Sequence, residues 1–163
     1  MLVYRDMVSK FQDELISEQF TIKDVGVAFE VEAPYEKYQE SRDSVGEDEE
    51  VEVQHPVNTV AAAFGLQKTS FDKKGYRSNL RAYINRVMAE LQARGTSQEE
   101  IDAIKEGILA YIGDVFANFI DIEFYTGESQ DDEGMVVLLR HREDNSGPPY
   151  MIYWKHGLEA MTK

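Results

Sequence analysis

Four cations, Lys73, Lys74, Arg77 and Arg81, recur at three- and four-residue spacing, and two carboxylates, Asp121 and Glu123, stand two residues apart further along. Residues three or four apart share one face of a helix, so the cations form a basic row able to hold an acidic surface. Residues i and i+2 share one face of a strand, so the carboxylates can hold a hard cation between them. Without further preorganised ligands, such a site is expected to bind a hard divalent cation no tighter than about 10⁻⁴–10⁻³ M. Each pattern also has a plainer reading. A basic row can be a solvated outer face, or be covered by the chain's own acids, and a carboxylate pair can merely screen cations. Catalysis is poorly served. His55, His141 and His156 are scattered and none lies in a motif with a nucleophile, while no P-loop, Gly-rich dinucleotide turn or HExxH is present. The segment from Gly46 to Glu50 lacks the alternating oxygen ligands of an EF-hand. A binding protein without an obligatory cofactor is expected, not an enzyme.

The elements that must carry these residues follow from periodicity. Tyr76, Leu80, Tyr83, Ile84, Val87, Met88 and Leu91 lie at helical spacing between Phe71 and Arg94. Ser70 suits the N-cap of this helix and Gly95 its C′ stop. A second helix starts at Thr96 or Ser97 in a capping-box pattern with Glu99 or Glu100. Its apolar face is Ile101, Ile104, Ile108, Ile112, Val115 and Phe119. So short a connection makes an antiparallel helical hairpin over residues 71–119. Of the 17 basic residues, seven (Lys68, Lys73, Lys74, Arg77, Arg81, Arg86, Arg94) sit in or beside the first helix, against only Asp72 and Glu90.

Strands are read on either side of this hairpin. Val25 to Glu32 alternates, with Val25, Val27, Phe29 and Val31 on one face. After the hairpin, FIDIEFYTGESQDDEGMVVLLRH gives a strand, a sharp exit at Gly127 where positive φ is expected, an acidic loop, and a strand over Met135 to Leu139. That last run is continuously apolar, as suits a strand covered on both faces. Residues 33–54 have few large aliphatics and an acidic cluster at Glu47, Asp48, Glu49, Glu50 and Glu52, and are expected to form a flexible acidic loop. Terminal strands around a helical hairpin give an α+β domain spanning 1–163.

The chain has 163 residues, a net charge of −14 and no cysteine. Wholesale nucleic-acid binding is therefore unexpected, and disulfides and thiolate zinc sites are excluded. The N-terminus does not read as a secretory signal, and no run is long and apolar enough for a membrane span. A cytoplasmic monomer is the expectation.

Several motifs together resemble the translationally controlled tumour protein family, also called fortilin or histamine-releasing factor. They are Phe119 with Phe124-Tyr125-Thr126-Gly127-Glu128, Glu133-Gly134 and Met135-Val136-Val137-Leu138-Leu139, the opening Met1-Leu2-Val3-Tyr4-Arg5-Asp6, Phe29-Glu30-Val31-Glu32, and Leu66-Gln67-Lys68-Thr69-Ser70-Phe71. Phe116-Ala117-Asn118-Phe119 and the tail through Pro149-Tyr150-Met151-Ile152 agree, so the resemblance covers nearly the whole chain.

The resemblance implies a β-tent of small antiparallel or mixed sheets with a projecting helical hairpin. It also implies a cytosolic adaptor linked to growth and survival, with weak calcium binding in which Asp121 and Glu123 align with side chains proposed to take part. Partner contacts through the first helix are implied, tubulin and microtubules among them. Asp13-Glu14-Leu15-Ile16-Ser17-Glu18 resembles the stretch whose glutamate is proposed to engage Ras-like small GTPases. The alternative function it implies is thus regulation of a GTP-binding protein, a Ras-like GTPase or translation elongation factor 1, through Glu14. Phe11 and Gln12 read as a small insertion before it. The chain departs from the family pattern at His141, where an aromatic residue is usual, and in a shorter acidic loop.

Overall fold

The computed structural model describes residues 1–44, 50–142 and 147–163, with the backbone alone for 37–44 and 50–55. The strands in chain order are β1 (Leu2–Asp6), β2 (Glu14–Ser17), β3 (Ile22–Asp24), β4 (Ala28–Glu32), β5 (Tyr35–Ser44), β6 (Glu50–Asn58), β7 (Gln67–Thr69), β8 (Ile122–Thr126), β9 (Val137–Arg140), β10 (Tyr150–Trp154) and β11 (Leu158–Thr162). The helices are α1 (Thr59–Phe64), α2 (Lys73–Ala93) and α3 (Gln98–Ala117). Three sheets result, in the orders β11-β1-β2, β3-β4-β10-β9-β8-β7 and β5-β6, with antiparallel pairing throughout. The architecture is α+β, as expected. The two chain ends lie side by side, with Leu2 opposite Thr162 and the Met1 ammonium donating to the Lys163 carbonyl at 2.9 Å.

The apolar run before Arg140 behaves as its composition requires. Val137, Leu138 and Leu139 have no solvent exposure, and neither do Met151, Ile152 and Tyr153 on the neighbouring β10. Adjacent residues of a strand point to opposite faces, so β9 and β10 are covered on both. The helical hairpin supplies much of that cover. From α2, Tyr76 meets the rings of Phe71, Phe116 and Phe124 at centroid distances of 5.2–6.1 Å. From α3, Tyr111 sits edge-on to Trp154 and donates to Glu30 Oε2 at 2.7 Å.

Four local expectations need correction. The N-cap of α2 is Asp72, not Ser70: its Oδ1 accepts from the Gly75 N–H at 2.6 Å, which satisfies a first-turn donor with a charged acceptor. The Val25–Glu32 run is not one strand. Val25 N–H bonds back to the Ala28 carbonyl, closing a turn between β3 and β4, so only Phe29 and Val31 of the four alternating residues lie in a strand. Gly127 does not have a positive φ. Its missing side chain instead admits Asp13, whose carboxylate a Cβ at 127 would overlap and which accepts from Ser129 N–H and Oγ–H at 3.3 and 2.5 Å.

The fourth correction concerns residues 33–54. The composition predicts a flexible acidic loop, but backbone pairing joins β5 to β6 from Tyr35↔Asn58 to Ser44↔Glu50. The polar composition hid this ribbon because main-chain pairing between antiparallel strands requires no particular side-chain pattern. Glu47, Asp48 and Glu49 lie outside the described residues. Gly95 does stop α2 as expected, with φ 93° and its N–H on the Gln92 carbonyl, and Ser97 Oγ accepts from Glu100 N–H to start α3.

Candidate functional site

The basic row sits where helical spacing places it. Lys73, Lys74, Arg77 and Arg81 are all exposed on α2, and none forms an ion pair with a described residue. The other three cations of this region are used by the fold. Lys68 Nζ pairs with Glu123 at 2.6 Å, Arg86 Nε donates to the Glu133 carbonyl at 3.0 Å, and Arg94 bridges Glu90 and Glu159. Two members of the row are also positioned by an aromatic ring. The Arg77 guanidinium lies 5.0 Å and the Lys73 ammonium 5.6 Å from the centre of Phe116. A cation over a ring face is attracted by the ring quadrupole, and so stays in place while its charge faces outward. Lys105 of α3, which the sequence reading passed over, is exposed beside Arg77 and Arg81 on the outer side of the hairpin.

The carboxylate pair is not arranged as expected. Asp121 belongs to a single 3₁₀ turn, Phe119–Asp121, and only Glu123 is on β8. Both Glu123 oxygens are engaged: Oε1 by Lys68, Oε2 by the Tyr35 hydroxyl at 3.2 Å, with His141 Nε2 at 3.7 Å. Burial pushes the Glu123 pKa up, but the Lys68 ammonium and the Tyr35 hydroxyl outweigh it and hold the group below the usual carboxylate range. Asp121 and Glu123 do line one open cavity of about 440 Å³, which Arg140, His141 and Arg142 line as well. Two guanidiniums there repel a divalent cation, and among the described residues no cluster of three or more His, Asp or Glu side chains is placed to hold a metal. Among the described residues, Asp121 and Glu123 are not arranged as a preorganised calcium site. What sequence reasoning missed is that Glu123 ties the base of the β5-β6 ribbon to the large sheet. His141, at the position departing from the family pattern, stacks on Tyr35 at 6.3 Å.

Glu14 opens β2 opposite Arg5, and its carboxylate pairs with Lys163 Nζ. The turn before it is tied to the loop after β8. Asp131 Oδ2 accepts from Ser9 Oγ and Lys10 N–H at 3.2 and 2.8 Å, and Phe11 projects into solvent beside Gln12, whose φ is 49°. Among the histidines, His156 is half-buried with its pKa lowered by burial, and the His55 side chain lies outside the described residues.

Glu14 is thus remote from α2 in its bonding, and the structure does not join the three sequence-read groups into one site. Among the described residues, no helix is long and apolar enough to cross a membrane. Comparison with known proteins gives one consistent result. The family model described as translationally controlled tumour protein matches residues 1–159. Translationally-controlled tumor protein homologs of Gibberella zeae and Neurospora crassa are 38% and 39% identical, each match covering 98% of both chains. The solved structure of the translationally controlled tumor-associated protein of Schizosaccharomyces pombe superposes with a TM-score of 0.83 at 32% identity over the whole of both chains. With this fold, this sheet order and these matches, the chain belongs to the translationally controlled tumour protein family.

Proposed function

We propose that this protein is a non-catalytic adaptor that binds an acidic protein surface through Lys73, Lys74, Arg77 and Arg81 of α2, with tubulin as the partner. The observation that carries the reading is the division of labour among the seven cations. Three are consumed by the fold, and the four on one exposed face make no ion pair with described residues. A chain of net charge −14 that keeps such a face has local complementarity to acidic partners despite its overall repulsion. The family resemblance supplies the choice of tubulin.

Affinity purification from the protein's own cells, comparing wild type with Arg77→Glu/Arg81→Glu, tests the reading. Tubulin is expected with the wild type and lost with the double variant. Retention of tubulin by the variant overturns the assignment. The alternative, regulation of a Ras-like GTPase or elongation factor 1 through Glu14, requires that carboxylate to leave Lys163. A Glu14→Ala sample in the same purification decides it by whether a GTP-binding protein disappears.

A further inference from the structure

A groove of about 400 Å³ runs along the outer side of the hairpin between α2 and α3. Buried Leu80, Ile84 and Ile112 form its floor, and Leu109, 61% exposed, stands open at its side. Arg77, Arg81 and Lys105 line it as cations, and among the described residues no acidic one lines it. On α3, positions 105, 109, 112 and 116 follow the i, i+4, i+7, i+11 spacing of one helix stripe, so the groove is about three helical turns, or roughly 16 Å, long. Leu109 continues the apolar floor out to the surface, and Arg77, Arg81 and Lys105 flank it on an otherwise acidic chain.

We propose that this groove binds an amphipathic helical segment of a partner protein, whose apolar stripe packs on Leu109 and the floor while flanking carboxylates meet Arg77, Arg81 and Lys105. The proposal rests on the reading of the α2 face as the docking surface, and adds the chemistry of the segment that docks. Charge complementarity selects an acidic occupant. The walls select a helix: both are α-helices whose main-chain groups bond within themselves, so an extended peptide finds no strand edge to pair with, whereas a helix brings its own backbone satisfied.

The test uses the 163-residue protein and a fluorescein-labelled peptide of about 18 residues, five turns, built from Leu, Glu and Ala with Leu at i, i+4, i+7 and i+11. Its isomer with the leucines scrambled is the control, and fluorescence anisotropy is the readout. The stripe peptide is expected to bind at least about tenfold tighter than the scrambled one, the factor that burying one or two leucines provides. Leu109→Glu, a change at an exposed position, is expected to erase that advantage, and Arg81→Glu to weaken both peptides. Equal binding of the two isomers, unaffected by Leu109→Glu but lost with Arg77→Glu/Arg81→Glu, overturns the groove and leaves the basic face standing. Absence of binding by either isomer overturns both. Sedimentation equilibrium showing a dimer of the protein alone that Leu109→Glu dissociates also overturns the proposal, because the occupant is then a second copy of the chain.

Discussion

At the scale of single residues, Asp6 has a role that its place in the opening motif does not reveal. It is only 2% exposed, and its carboxylate accepts from Met135 N–H at 2.6 Å and Val8 N–H at 3.2 Å. Burial, against those backbone donors, raises its pKa from 3.8 to about 6. A carboxyl whose folded pKa is raised is favoured in its protonated form. The stability it contributes is therefore full below about 4 and lost as pH rises through 6. At 1.36 kcal/mol per unit the swing is about 3 kcal/mol. Urea unfolding from pH 4 to 7 should show the wild type losing roughly that much stability relative to Asp6→Asn. A constant difference between the two proteins across that range would contradict the assignment. Calcium is the second residue-scale matter. With Glu123 held by Lys68 and two arginines lining the shared cavity, 1 mM calcium should raise Tm no more than 1 mM magnesium does. A calcium-selective rise that Asp121→Asn abolishes would show that a site forms after all.

The elements differ in how far they can be read from sequence, and the reason is where their stability comes from. The α2–α3 hairpin was legible because its burial is periodic: Tyr76, Leu80, Tyr83, Ile84, Val87 and Met88 all face inward as their spacing requires. The basic row came with it, since placing one face of a helix places the other. The β5-β6 ribbon was not legible, because main-chain pairing leaves little trace in side-chain composition. Its anchors are side chains distant in sequence. Asn58 donates to the Ala33 carbonyl at 2.8 Å and caps α1, while Tyr35 reaches Glu123 across 88 residues. Asn58→Ala strands a buried carbonyl and removes a cap, and is expected to cost about 2 kcal/mol or more in chemical denaturation. A cost under about 0.5 kcal/mol would mean that α1 and the ribbon base are held otherwise. Glu123→Ala should act locally, since partly exposed ion pairs contribute little globally. Faster amide exchange at Tyr35 and its neighbours with an almost unchanged Tm is the expected pattern, and unchanged exchange there would remove Glu123 from its role as the tie.

Across the whole molecule, charge is held apart. On a chain of 31 acidic and 17 basic residues, Lys73, Lys74, Arg77, Arg81 and Lys105 of the helical hairpin make no ion pair with a described residue, and three of them, Arg77, Arg81 and Lys105, line an apolar groove. Attraction through exposed charges is screened over about 10 Å at 0.1 M salt, so binding through this face must weaken as salt rises. Microtubule co-sedimentation of wild type and Arg77→Glu/Arg81→Glu at low and high salt is the most direct test. The wild type is expected to pellet with microtubules at low salt and to be released by high salt, and the double variant to stay in the supernatant throughout. Pelleting that neither salt nor the double substitution reduces would contradict this.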